Sequence, residues 1–264
     1  LMLEILTPLL ILAGLGLVFG VAIGLVAKKF AIQQDPKFEQ IREALPGANC
    51  GGCGYAGCDA YAKAVAAGSA PVNACAVGGA SASQKIAQIL GVEAQVLEKK
   101  VAYVQCSGEC GVAREKMRYD GIASCLEAIV IPGSGPKACT YGCLGFGTCT
   151  QVCKFGAIHV ENGIAHVTED RCVGCGACVS VCPKHIIQLM PQRQRIRVQC
   201  SGQDRGKEVR DLCAAGCLGC GLCVRQCEDG AITMVGNVAR IDPAKCTQCG
   251  KCAEKCPAKV IKIL

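Results

Sequence analysis

Cysteine spacing carries the chemistry of this chain. Cys172, Cys175, Cys178 and Cys182 follow one another at gaps of two, two and three residues, and Cys246, Cys249, Cys252 and Cys256 repeat the pattern. Two further runs, ending at Cys153 and Cys227, keep nearly the same rhythm. Thiols this close are poor disulfide partners and natural metal ligands, and an odd total of 25 disfavours a complete disulfide set. A run in which three thiolates bind one [4Fe–4S] cluster while the fourth reaches across to another has this spacing. A zinc ribbon would not need the third and fourth cysteines of CVGCGACVSVCP.

A separate module precedes these runs. In LPGANCGGCGYAGC and the residues after it, Cys50, Cys53, Cys58 and Cys75 are separated by two, four and 16 residues. Three close thiolates and one distant one can close around a four-iron core. Gly51, Gly52, Gly54 and Gly57 let the backbone bend and aim N–H groups at sulfur. Residues 59–67 read as a helix packing behind the site.

From Cys139 onward the chain duplicates itself at a constant offset of 74. Cys139, Cys143, Cys149, Cys153, Cys172, Cys175, Cys178 and Cys182 correspond to Cys213, Cys217, Cys223, Cys227, Cys246, Cys249, Cys252 and Cys256. GAIHVENGIAHVTEDRC matches GAITMVGNVARIDPAKC, each read as two short strands around a turn that leads into a ligand loop. A second repeat, YVQCSG at 103–108 and RVQCSG at 197–202, reads as a strand ending in such a loop. His159, His166 and His185 read as structural residues.

At the start, LLILAGLGLVFGVAIGLVA (9–27) is uncharged and is followed by Lys28 and Lys29. Nineteen helical residues span about 28 Å, close to a bilayer's hydrocarbon thickness. The lysine pair places the remainder of the chain in the cytoplasm by the positive-inside rule. The expected architecture is therefore α+β: a single-pass anchor at 1–29, a four-iron-four-sulfur domain at 30–98, a cysteine-containing connector at 99–138, and ferredoxin-like domains at 139–196 and 197–264.

The formal charge of +7 counts every cysteine as neutral. Binding 24 of them to six cores of 2+ charge would bring the chain to about −5, so the basic balance does not imply nucleic acid. No phosphate loop, nucleophile elbow or flavin or nicotinamide fingerprint is present, and no flavin or NAD is expected on this chain.

Each 74-residue repeat resembles a bacterial two-cluster ferredoxin. That resemblance assigns Cys217, Cys220, Cys223 and Cys256 to one cluster and Cys246, Cys249, Cys252 and Cys227 to its twin. In the first repeat it assigns Cys172, Cys175, Cys178 and Cys153. The remaining site has Cys143, Cys149 and Cys182, with Phe146 where the second repeat has Cys220. Cys139, one helical turn before Cys143, is the expected substitute; a three-iron cluster or a separate use of Cys139 stays open. Cys106, Cys110, Cys125, Cys200 and Cys213 are left over. They supply a sixth cluster with one to spare, or else Cys106, Cys110, Cys125 and Cys139 form it and the Phe146 site recruits Cys200 or Cys213.

The four-iron domain, the VQCSG connector, the YGCLGFGTC run and the paired ferredoxin repeats, behind one anchor, resemble the B subunit of the Rnf complex in its long form. The resemblance implies an electron-relay subunit of an ion-translocating ferredoxin:NAD+ oxidoreductase, coupled to sodium or protons, with about six [4Fe–4S] clusters. Its partners would be soluble ferredoxin, docking at the C-terminal pair, and the membrane and flavin- or NAD-binding subunits of the complex. An iron–sulfur donor to a corrinoid protein or reductase, or a redox sensor, are the rival classes.

Overall fold

The duplication at 74 residues becomes a duplication of backbone. The computed structural model describes residues 2–29, 36–94 and 98–264, with the side chains of the first stretch described from Leu12 to Val26. Helix α1 (Met2–Lys29) is followed by α2 (Pro36–Ala44), α3 (Cys58–Ala66) and α4 (Gly79–Leu90). Then come β1 (Lys100–Val104), α5 (Cys125–Ala128), α6 (Thr148–Gln151), β2 (Ile158–Glu161), β3 (Ile164–Val167), α7 (Ala177–Val181) and β4 (Ile187–Pro191). The second half holds β5 (Ile196–Val198), α8 (Gly206–Leu212), α9 (Leu222–Gln226), β6 (Ile232–Val235), β7 (Val238–Ile241), α10 (Lys251–Glu254) and β8 (Ile261–Ile263).

Strands β2 and β3 pair antiparallel, Ile158 opposite Val167, and β6 and β7 pair in the same register, Ile232 opposite Ile241. Each unit has a second two-stranded sheet. β1 pairs with β4 and β5 pairs with β8, both antiparallel. Residues 99–138 are therefore more than a connector, because β1 supplies an edge strand of the first ferredoxin-like unit.

The inward faces of these sheets make two cores. Val101, Val104, Ile158, Ile164, Ile186 and Ile187 fill the first, and Ile196, Val198, Ile232, Val238, Val260 and Ile261 the second. Cysteine sulfurs are part of both cores, so the hydrocarbon walls the ligands. In the N-terminal module Ile41 of α2, Tyr61 and Val65 of α3 and Ile86 of α4 are buried against one another. Burial pushes the Tyr61 hydroxyl up to about 12; it donates to Pro71 O at 2.7 Å and accepts from Ala74 N–H, fixing the stretch that leads to Cys75.

The hairpin turns differ between the repeats. In the first, Asn162 and Gly163 both have positive φ, the signature of a type I′ turn; in the second only Gly236 does. The order of the turn residues accounts for this, Asn162-Gly163 in the first and Gly236-Asn237 in the second; in the first, a Cβ on Gly163 would also lie 2.7 Å from Cys110 Sγ, and Cys110 N–H donates to Asn162 O at 2.8 Å. Replacing Gly163 with alanine combines left-handed strain with overpacking and is expected to cost about 2 kcal/mol. Denaturant unfolding followed by cluster absorbance checks this; an unchanged midpoint would mean the turn yields freely.

Helix α1 exposes large apolar side chains on all faces, among them Leu12, Leu15, Phe19, Ile23 and Leu25. Nothing lies within 4 Å of a Cβ built on Gly16, Gly20 or Gly24. Among the described residues no helix is long and apolar enough to cross a membrane. The expected anchor lies partly outside the described side chains, since those of residues 9–11 and of Lys28 and Lys29 are not among them.

Candidate metal centres

The N-terminal module brings its cysteines together. Cys50, Cys53, Cys58 and Cys75 line one cavity with Gly51, Gly52 and Gly57. Cys58 is the first residue of α3, and its N–H donates to Asn49 Oδ1 at 2.8 Å, which ties the ligand loop to the helix start. Gly78 N–H donates to Cys75 Sγ at 3.3 Å.

In the first ferredoxin-like unit Cys153, Cys172, Cys175 and Cys178 line a second cavity, and in the other unit Cys217, Cys220, Cys223 and Cys256 line another. Cys252 stands beside Cys246 and Cys249, and these neighbouring thiols add to the burial that pushes it up to about 11. Ala157 N–H donates to Cys153 Sγ and Ala231 N–H to Cys227 Sγ, both at 3.3 Å, so the duplicated cysteines have duplicated partners. Gly147, Gly176, Gly221 and Gly250 precede α6, α7, α9 and α10 in left-handed conformation. A side chain there would be strained, and this one glycine position turns each ligand loop into its helix.

The Phe146 site differs from its expectation. Its cavity is lined by Cys143, Cys149, Cys182 and Cys125; Cys139 lines a different cavity. Burial pushes the Cys149 thiol up to about 12, and the adjoining thiols of Cys143, Cys125 and Cys182 add to it. Cys125 opens α5, where Ser124 caps the helix and Cys125 N–H donates to Thr148 Oγ1 at 2.8 Å. Phe146 packs its ring against Tyr119, centroids 4.8 Å apart, in a small apolar cluster with Ala128 and Leu144. The distant cysteine is carried in by the fold, and nothing in the local spacing marked it.

The cavities follow one another. A Cβ on Gly52 would lie 2.6 Å from Cys175 O, and Lys154 Nζ donates to Asn49 O at 3.1 Å, so the four-iron module abuts the Cys175 loop. Cys149 neighbours Cys178, and Cys252 neighbours Cys223. Between the two units lies the cavity that Cys139 lines. The expected leftover Cys110 is exposed and lines none of these five cavities.

The donor sets are all thiol. Among the described residues no three or more Cys, His, Asp or Glu side chains close around a point sized for a single metal ion. The thiols line open cavities with backbone N–H groups aimed at sulfur, which is what a multi-iron core requires. Burial holds thiols such as Cys149 and Cys178 in the protonated form, so loading a positive core must displace those protons. When bound, such a core accepts and releases single electrons. The polypeptide supplies spacing, hydrogen bonds and dryness.

These features define an iron–sulfur electron-transfer protein of ferredoxin-like construction. Family models for "Fe-S cluster", "4Fe-4S binding domain" and "4Fe-4S dicluster domain" match residues 45–77, 165–188 and 216–260. The chain is 48% identical over 259 residues to the B subunit of the Na(+)-translocating ferredoxin:NAD(+) oxidoreductase complex of Acetobacterium woodii, covering 98% of this chain and 78% of that one. It is 40% identical to the B subunit of the ion-translocating oxidoreductase complex of Methanosarcina acetivorans, with 96% of each chain covered. It is 41% identical to the B subunit of the proton-translocating ferredoxin:NAD(+) oxidoreductase complex of Clostridium ljungdahlii, with 97% of this chain and 91% of that one covered. The chain belongs to the family of B subunits of ion-translocating ferredoxin:NAD+ oxidoreductase complexes.

Proposed function

We propose that this chain conducts single electrons between soluble ferredoxin and the other subunits of a membrane-bound, ion-translocating ferredoxin:NAD+ oxidoreductase, through about six [4Fe–4S] clusters in file. The observation that carries this reading is the succession of five cysteine-lined cavities whose cysteines neighbour one another from one cavity to the next, with Cys252 beside Cys223 at the C-terminal end. A substrate-binding enzyme would need a pocket for a nucleotide or flavin, and the cavities here are lined by thiols and hydrocarbon. NAD+ chemistry then belongs to a partner.

Ferredoxin docks at the C-terminal unit, where Cys220 and Cys249 are exposed. Short, exposed ligands put an electron within reach of a partner without a conformational change. At the other end, α1 anchors the chain in the cytoplasmic membrane as one span, with the iron–sulfur domains on the cytoplasmic side. The uncharged run 9–27, followed by Lys28 and Lys29, supports this reading, since 19 helical residues span about 28 Å against a hydrocarbon layer of ~30 Å. One helix has no room for an ion path, so transport belongs to the membrane subunits and this chain delivers the electrons that drive it.

The test is rapid mixing of reduced ferredoxin with the assembled complex in membranes. Bleaching of this chain's iron–sulfur absorbance is expected to precede NADH formation. NADH appearing at full rate from a complex whose clusters in this chain stay oxidised would end the relay reading.

A further inference from the structure

The N-terminal module meets the first ferredoxin-like unit backbone to backbone, and a glycine makes that approach possible. A Cβ built on Gly52 would lie 2.6 Å from Cys175 O, 3.0 Å from its Cα and 3.1 Å from its Cβ. The φ of Gly52 lies outside the left-handed region, so strain is not what excludes a side chain here; the Cys175 backbone is. Gly52 is bonded directly to Cys53, and Cys50 of the module neighbours Cys175 of the unit. Two cysteine-lined cavities therefore meet ligand loop to ligand loop, with no side chain between the two backbones at that point.

Both loops are held from behind. Gly174 lies so close to β1 that a Cβ there would run into Lys100 O. On the module's side, Asn49 Oδ1 accepts from Cys58 N–H at 2.8 Å. The Asn49 carbonyl accepts from Lys154 Nζ at 3.1 Å, and Ala48 O accepts from the same ammonium at 3.4 Å. Lys154 follows Cys153, a thiol of the Cys175 cavity, so a side chain of the first unit ties down the strand of chain that enters the module's ligand loop.

The second repeat shows what the lysine adds. Its residue at the offset of 74 is Glu228, which pairs with Lys251 of its own unit at 2.6 Å. A carboxylate has no proton to donate to two carbonyls, so the duplicated position offers the module no tie. The two units meet each other around a different feature, the cavity lined by Cys106, Cys139, Cys200 and Cys213, where Ser201 Oγ of one donates to Tyr141 O of the other.

We propose that the Gly52–Cys175 joint is where electrons cross between the N-terminal module and the first ferredoxin-like unit, with Gly52 setting the crossing rate and Lys154 as the positioning residue that keeps the two loops in contact. This rests on the relay reading. One electron leaves the centre on one side, which is oxidised, and enters the centre on the other, which is reduced; no proton or atom moves. Transfer between fixed centres falls steeply as the gap between them widens, and backbone in contact carries an electron better than an open gap. At 2.6 Å from Cys175 O, an alanine Cβ at residue 52 has to part the loops by most of an ångström before the contact is ordinary.

The assembled complex in membranes is mixed with reduced ferredoxin and frozen at intervals for electron paramagnetic resonance, as wild type and with Gly52→Ala, Lys154→Met or Lys154→Arg. The module's signal is the one that Cys75→Ala removes. Iron per chain is expected to stay at the wild-type value in all three variants. Filling of the module's signal is expected to slow several-fold in Gly52→Ala and Lys154→Met, and its magnetic broadening by the neighbouring reduced centre to weaken. Lys154→Arg, which can still donate to both carbonyls, is expected to keep the wild-type rate. Wild-type filling and broadening in both Gly52→Ala and Lys154→Met, with full iron, overturns the proposal. Where Gly52→Ala loses the module's iron, Lys154→Met decides, because it leaves that ligand loop intact: slowed filling supports the joint and unchanged filling removes it. Unchanged filling in the variants, with wild-type centres still reduced ahead of NADH formation, removes the joint and leaves the relay reading standing; wild-type centres that stay oxidised while NADH forms remove both.

Discussion

A chain carrying Cys125→Ala is expected to hold one cluster fewer than the wild type, and adding Phe146→Cys is expected to restore it. The loss follows from the lining of the Cys143, Cys149 and Cys182 cavity, whose fourth thiol is Cys125. The rescue follows from the duplication, because residue 146 corresponds to Cys220, which lines the equivalent cavity of the second unit. Iron would fall by about four per chain, or by about one if three thiolates retain a three-iron core, and return to the full number in the double variant.

The rescue also separates Cys125 from Cys139. Cys139→Ala is expected to lose iron too, but from the cavity between the units, so Phe146→Cys should not repair it. Repair of Cys139→Ala by Phe146→Cys, with none for Cys125→Ala, would return Cys139 to the Phe146 site. The exchange of ligands has a physical consequence. Cys220 is exposed whereas Cys125 is buried, and α5 together with the Tyr119–Phe146 pair closes over the first unit's site. This interior centre is shielded from partners, as suits a centre that passes electrons only along the chain.

The regular ligand runs were legible because their chemistry is local. Three cysteines at gaps of two, the third on a helix that starts after a left-handed glycine, define a site within a dozen residues. The hairpins after the first runs were equally legible, since turn residues and alternating apolar positions lie side by side in the sequence. The place of Cys125 and the grouping of the central cavity were not legible in this way, because they are set by how loops meet across the fold. One sequence signal did point to the central cavity. Cys213 is retained beside a complete run that already has Cys220, and VQCSG occurs twice, so two duplicated cysteine pairs had no use within their own units. Duplicated and locally surplus residues are what a cavity shared between two repeats would leave behind. The role of β1 as an edge strand was hidden for a related reason: its partner β4 is separated from it by the whole first repeat.

Glu169→Gln is expected to destabilise the joint between the units by about 3–5 kcal/mol, because it strands a buried cation. Arg197 lies on β5 with its side chain 1% exposed, and its Nη1 meets Glu169 Oε1 at 2.5 Å from the loop that follows β3. Its Nε–H donates to Gln194 O at 2.7 Å, and its guanidinium lies over the Tyr103 ring of β1, 5.6 Å from the centroid. One side chain of the second unit is therefore gripped by two elements of the first. With glutamine at 169 the guanidinium keeps its charge but loses its counter-ion, and Nη2 is already without a hydrogen-bond partner. Replacing both residues, as Arg197→Met with Glu169→Gln, removes the buried charge and is expected to recover most of the loss, since an apolar side chain of similar length suits the same burial. The chain has no tryptophan, so unfolding is best followed by the visible absorbance of the clusters together with far-ultraviolet circular dichroism. Under denaturant the Glu169→Gln chain should release about four irons first, those of the cavity between the units, while the clusters inside each unit persist. A wild-type midpoint for Glu169→Gln, or loss of all clusters in one step from both proteins, would show that the two units are held together by the central site and not by this ion pair.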